Sequence, residues 1–140
     1  MNKIITNNEE ETFRLGFALG QKCGGGEIFA LYGDLGAGKT KLLQGLASGL
    51  GIKDKVNSPT FNILKIYKSR GAVKTFCHID AYRLNSGQDL AVLGAEEFFN
   101  SPDTVTAIEW AERVEEILPP GKKIIKIRSV AENKREIKIS

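Results

Sequence analysis

Gly33-Asp-Leu-Gly-Ala-Gly38-Lys39-Thr40 follows the pattern G-x-x-x-x-G-K-[ST], and no other segment constrains the fold of this chain as strongly. Ahead of it, Glu27-Ile-Phe-Ala-Leu-Tyr32 is an apolar run of strand length. Behind it, Leu42, Leu43, Leu46, Ala47 and Leu50 recur at helical spacing until Gly51 stops the pattern. A strand, a glycine loop and a helix N-terminus in that order make a P-loop. The residues Gly33, Gly36, Ala37 and Gly38 let successive backbone N–H groups turn inward around phosphate oxygens, and the helix dipole adds positive potential there. Lys39 is expected to reach the β- and γ-phosphates, and the Thr40 hydroxyl to bind Mg²⁺. The chain is therefore expected to bind a nucleoside triphosphate.

At 140 residues the chain is expected to form one P-loop domain over 1–140. Most of that length goes into a minimal P-loop sheet and its helices. Little remains for the lid or insertion with which a small-molecule kinase keeps water from the γ-phosphate. That favours hydrolysis coupled to a partner, with a kinase or a nucleotide-gated docking module as the alternatives. With 41% hydrophobic and 26% charged residues, the composition is that of an ordinary soluble protein. No signal peptide or membrane span is visible, and Cys23 and Cys77 match no metal spacing, so a cytoplasmic protein with reduced thiols is expected. A net charge of +3 is too weak to argue for nucleic acid. Lys122, Lys123, Lys126, Arg128, Lys134, Arg135 and Lys138 nevertheless crowd the C-terminal segment, which reads first as a solvated two-stranded ribbon and second as a surface for RNA or an acidic partner.

The remaining pattern alternates. Cap-type and acidic residues at 7–12 open an N-terminal helix that runs to about Lys22 and is closed by Gly24-Gly-Gly26. Segments 61–67 and 73–79 form an antiparallel hairpin, Gln88 to Phe99 a helix, Thr104 to Ile108 a strand, and Trp110 to Leu118 a helix. Segments 124–127 and 135–139 make a last hairpin. The fold class is α/β, a P-loop NTPase-like three-layer sandwich with a mixed central sheet and helices on both faces.

A P-loop needs acidic help to place Mg²⁺ and the attacking water. Asp80 and Glu109 each stand where a strand runs out of apolar residues, and at the carboxyl ends of strands both face the nucleotide. Either one could hold Mg²⁺ while the other orients the nucleophile. His78 shares a strand face with Asp80 and reads as a packed, hydrogen-bonded histidine rather than a catalytic one. Arg83 suits a phosphate, an acidic partner or a surface ion pair. Thr60, in Ser58-Pro59-Thr60, occupies the place of a switch threonine that senses Mg²⁺ and γ-phosphate. No Asn-Lys-x-Asp motif follows, so adenine is expected over guanine.

These motifs together, with Ser58-Pro-Thr-Phe61, His78-Ile-Asp-Ala-Tyr-Arg-Leu84 and Glu109-Trp-Ala-Glu112 in order after the P-loop, resemble the TsaE (YjeE) family. The resemblance spans most of the chain. It implies an ATPase of bacterial tRNA threonylcarbamoyladenosine biosynthesis that works with TsaD-like and TsaB-like partners and meets tRNA through that complex. It also implies phosphate binding by Gly36 to Thr40, Mg²⁺ ligation by Thr40 and Glu109, a supporting acid in Asp80, and Thr60 as the switch. Glu9 corresponds to the family's early nucleotide-contacting acid and Arg135 to its late arginine. Trp110 is characteristic of the family and equally well explained as a packed aromatic at a strand end. Lys41 departs from the second threonine or serine that many members carry.

Overall fold

β2 (Ile28–Tyr32) is apolar on both faces because it runs through the middle of a sheet that is covered on both sides. The computed structural model describes residues 2–34, 37–57 and 63–140; Gly36, Thr60 and the rest of the Ser58-Pro-Thr-Phe61 motif lie outside them. Its other elements are β1 (Asn2–Thr6), α1 (Glu9–Gln21), α2 (Lys39–Gly49), β3 (Leu64–Lys68), β4 (Thr75–Asp80), α3 (Gly87–Ala91), α4 (Ala95–Phe99), β5 (Thr104–Glu109), β6 (Lys123–Ala131) and β7 (Lys134–Ile139). The strands form one sheet in the order β1-β7-β6-β2-β5-β4-β3. β6, β2, β5 and β4 run parallel, while β3, β7 and β1 join antiparallel at the two edges.

Helices cover both faces. On one, Leu42, Leu43 and Leu46 of α2 bury against Phe29, Leu31 and Phe76. On the other, Leu90 and Phe99 of α3 and α4 bury against Ala30, Cys77 and Ile79. The mixed three-layer α/β arrangement expected from the alternating pattern is present. No helix among the described residues is long and apolar enough to cross a membrane.

α1 is held to α2 by two facing pairs of glycines, Gly16 and Gly20 on α1 and Gly45 and Gly49 on α2. A Cβ added to any of them would fall within 3.0 Å of the other helix's backbone: Gly16 against Leu42 O, Gly20 against Leu46 O, Gly45 against Phe13 O and Gly49 against Phe17 O. The spacing of four residues puts each pair on one helical face, so the two backbones touch directly. At its start α1 is capped by Asn8, whose side chain accepts from Glu11 N at 2.8 Å, while Glu11 Oε1 accepts from Asn7 N at 2.8 Å.

Two expected helices differ, and one strand is added. Residues 88–99 form two short helices rather than one, because Gly94 takes a left-handed φ of 85° and interrupts the turn. Residues 110–118 form 3₁₀ turns at Ala111–Arg113 and Glu115–Ile117 in place of an α-helix. Trp110 itself is left-handed at φ 59°, and the apolar spacing at Ala111, Val114 and Ile117 suits a three-residue period as well as a 3.6-residue one. β1 is an addition with no counterpart in the sequence reading. It is a short edge strand whose strand partner among the described residues is the distant β7.

The basic C-terminal hairpin is present as β6 and β7. Arg128 and Lys3 are largely exposed and flank the buried Glu136, with Lys3 Nζ 2.9 Å from Glu136 Oε1. The Lys3 hydrogen bond, aided by Arg128, holds the Glu136 carboxyl below the usual glutamate value of 4.5 against the opposing effect of burial. Cys77 is fully buried in β4, where burial pushes its thiol up to about 12. Cys23 and Cys77 are not joined in a disulfide.

Candidate functional site

The chain leaves β2 at Tyr32 and enters α2 at Lys39, so the glycine loop is strung between a central strand and a helix N-terminus. Gly38 caps that helix with a left-handed φ of 99°, a conformation side chains rarely adopt. At Gly33 a Cβ would fall within 3.0 Å of Ile127 O. Both positions therefore need glycine for local reasons, independent of any ligand. Ala37 N closes a turn onto Asp34 O at 3.1 Å, just ahead of the helix. The N-terminus of α2, with the positive end of its dipole, suits an anion.

A cleft of about 460 Å³ opens at this helix end. Gly38, Lys39, Thr40, Asp80 and Glu109 line it, brought from α2, β4 and β5. Glu9 from the start of α1 and Arg135 from β7 complete the wall. Asp80 and Glu109 face each other in the β4–β5 register, which is why two acids separated by most of a crossover reach one cavity. Gly33 and Ala37 stand in the adjoining loop. Gly36 and Thr60 fall outside the described residues. Arg83 is exposed and is not among the residues lining the cleft.

Lys39 is buried, with 5% of its surface exposed. Its Nζ donates to the Gly33 carbonyl and lies 3.8 Å from the centroid of the Trp110 ring. Burial lowers the pKa of this ammonium, while Glu109, Glu112, Asp80 and Asp34 pull it back up. Trp110 also meets Tyr82 at 4.9 Å between ring centroids, and Arg113 lies 5.3 Å over the Tyr82 ring. Trp110 is thus both a packed aromatic and a direct neighbour of the P-loop lysine. Its left-handed backbone is a strained conformation for a bulky residue and sits directly after a candidate site carboxylate.

Glu109 is buried, and its Oε2 lies 2.7 Å from His78 Nε2. His78 is packed and hydrogen-bonded, as expected, but its partner is the candidate metal ligand itself. On the other side of the cleft, Lys41 Nζ lies 3.9 Å from Glu9 Oε2, so the residue that departs from the family pattern pairs with another candidate. Asn133, Thr12 and Gln44 also line the cleft and were not singled out from the sequence. The available signal for Asn133 was its place in the tight turn of the last hairpin, where it adopts φ 62°.

The oxygen donors of Thr40, Glu109 and Asp80 suit a hard cation. Among the described residues no group of three or more His, Cys, Asp or Glu could hold a metal ion. Mg²⁺ fits such a donor set, because it is bound by one or two carboxylates together with substrate phosphates.

The chain matches known proteins along nearly its whole length. The family described as "Threonylcarbamoyl adenosine biosynthesis protein TsaE" matches residues 6–137. The chain belongs to the TsaE family. A "tRNA threonylcarbamoyladenosine biosynthesis protein TsaE" of Treponema pallidum is 38% identical over 138 residues, 99% of each chain. The TsaE protein of Bacillus subtilis is 39% identical over 135 residues, 96% of this chain and 82% of its own. The crystal structure of Bacillus subtilis YdiB superposes with a TM-score of 0.76 at 34% identity, covering 97% of this chain and 82% of that one. The fold described above is thus similar to that of a solved structure.

Proposed function

We propose that this TsaE-family chain binds ATP with Mg²⁺ and hydrolyses it as a component of tRNA threonylcarbamoyladenosine biosynthesis. Hydrolysis is slow in isolation and is activated by a TsaD-like and TsaB-like pair in the cytoplasm, with tRNA reached through that complex. The observation that carries the reading is the convergence of Lys39 and Thr40, at the N-terminus of α2, with Asp80 and Glu109 in one cleft. The names of the relatives support the pathway.

In this reading the α2 amides and Lys39 neutralise the β- and γ-phosphates. Thr40 and Glu109 would hold Mg²⁺, which would supply charge neutralisation for the triphosphate. Asp80 is the second acid, supporting attack of water on the γ-phosphorus as the bond to the β–γ bridging oxygen breaks, to give ADP and inorganic phosphate. Glu9 and Arg135 bind the nucleotide from the flanking wall, and Thr60 senses the γ-phosphate. Lys39 Nζ, which donates to the Gly33 carbonyl and lies against the Trp110 ring, would exchange these contacts for phosphate oxygens on binding.

The expected products separate this reading from a kinase. With [γ-³²P]ATP and a mixture of nucleosides and sugars, all label should appear as inorganic phosphate, at a rate well below the enzyme median of about 10 s⁻¹. Label in an acceptor would make the protein a kinase, and fast turnover without a partner would remove the need for activation.

A further inference from the structure

We propose that His78 is a positioning residue that sets the Glu109 carboxylate for metal-bound nucleotide; the proposal rests on the reading of Glu109 as a Mg²⁺ ligand given above. In the parallel register of β4 and β5, His78 stands opposite Ala107 and Asp80 opposite Glu109. His78 and Glu109 are therefore diagonal neighbours on one face of the sheet, the face that carries α2 and the cleft. The imidazole is fully buried, stacked on Phe76 with ring centroids 6.1 Å apart and an interplanar angle of 19°, and its Nε2 meets Glu109 Oε2 at 2.7 Å. A side chain held this firmly fixes the rotation of the carboxylate it touches.

The other ring nitrogen identifies the direction of the bond. His78 Nδ1 is buried with no hydrogen-bond partner among the described residues. An orphaned acceptor is tolerated in protein interiors more readily than an orphaned N–H. The tautomer with hydrogen on Nε2 leaves Nδ1 as the acceptor and lets Nε2 donate to the carboxylate. Where packing alone is needed, a leucine or phenylalanine would fill the same space and bury no unpaired nitrogen inside the sheet. The histidine is accounted for by the single bond it donates. Hydrogen-bond partners that orient a ligating carboxylate change metal affinity by about 10–100-fold when removed.

The test compares ATP affinity with excess Mg²⁺ and with EDTA, by equilibrium dialysis, for the wild type, His78→Leu and His78→Gln. Glutamine carries an N–H donor near the position of Nε2, and leucine carries none. The expected result is that the gain in affinity from Mg²⁺ falls about tenfold or more in His78→Leu and returns to within about threefold of wild type in His78→Gln, with EDTA affinities alike in all three. If His78→Leu does not fold, judged by its thermal transition, His78→Asn takes its place, being polar but too short to reach Glu109. An unchanged Mg²⁺ gain in the variant without the donor overturns the proposal. So does an equal loss with and without Mg²⁺, which marks a purely structural residue, or a failure of glutamine to rescue. A wild-type protein with no Mg²⁺ gain overturns the metal assignment of Glu109 first, and the role of His78 with it.

Discussion

Glu109→Gln is expected to lower ATP hydrolysis by at least about 100-fold while ATP binding persists. The substitution removes one negative charge and keeps the side-chain shape. Glutamine still presents a carbonyl oxygen to His78 Nε2, so the buried contact that Glu109 makes at 2.7 Å has a neutral substitute and the fold survives. Lys39, the Gly38 cap and the start of α2 are untouched, and in the proposed reading they bind phosphate independently of the carboxylate. What would be lost, in the proposed reading, is the carboxylate charge that would help hold Mg²⁺. Single-turnover release of inorganic phosphate, measured beside equilibrium ATP binding, checks the split. Undiminished hydrolysis would exclude Glu109 from the chemistry. Retained binding with lost pathway function would show that nucleotide-gated docking alone does not suffice.

Gly45→Ala is expected to destabilise the protein by about 3 kcal/mol or more, at the upper end of overpacking effects. The new methyl group would meet Phe13 O and Phe13 C of α1, backbone atoms that move only if the whole helix shifts. Gly16→Ala makes the reciprocal collision with Leu42 O from the other side. On an isolated helix the same change would help, since alanine is the better helix former by about 1 kcal/mol. The sign of the measured effect therefore reports the helix contact and not the helix propensity. For a chain of this size a loss of that magnitude corresponds to a fall of about 10 °C in Tm. Gly121→Ala is the control, because nothing lies within 4 Å of a Cβ added there. A Gly45→Ala protein that melts with the wild type would mean that α1 and α2 do not touch through their backbones.

Those glycines mark the limit of what the sequence reveals. Gly16, Gly20, Gly45 and Gly49 read locally as weak points in two helical patterns, and their use depends on a contact between elements separated by a strand. β1 is hidden for the same kind of reason: Ile4 and Ile5 become a strand only through pairing with Ile137 and Glu136 at the far end of the chain. The segment after Glu109 misleads because apolar spacing does not separate a 3₁₀ turn from an α-helix over so few residues. By contrast, β2, α2 and β5 carry strong local patterns, and the structure places them as expected.

The candidate site divides along the same line. Lys39, Thr40, Asp80 and Glu109 are legible because a glycine loop and two strand-end acids are local signals, and they converge through a parallel register that the fold class implies. Glu9 and Arg135 came from resemblance alone, yet both line the cleft. The bond from His78 to Glu109 and the stacking of Trp110 on Lys39 belong to tertiary packing. Sequence placed His78 on the face of Asp80 but gave no means of selecting Glu109 as its partner.

The most direct measurement is ATP hydrolysis by the protein alone and after addition of a cognate TsaD-like and TsaB-like pair, with Lys39→Ala run beside it. The expected result is slow hydrolysis alone, strong stimulation by the pair, and no stimulation in the Lys39→Ala protein, which lacks the ammonium now held between Gly33 and Trp110. A rate unchanged by the pair, or stimulation that persists in Lys39→Ala, would contradict a partner-activated ATPase centred on this cleft.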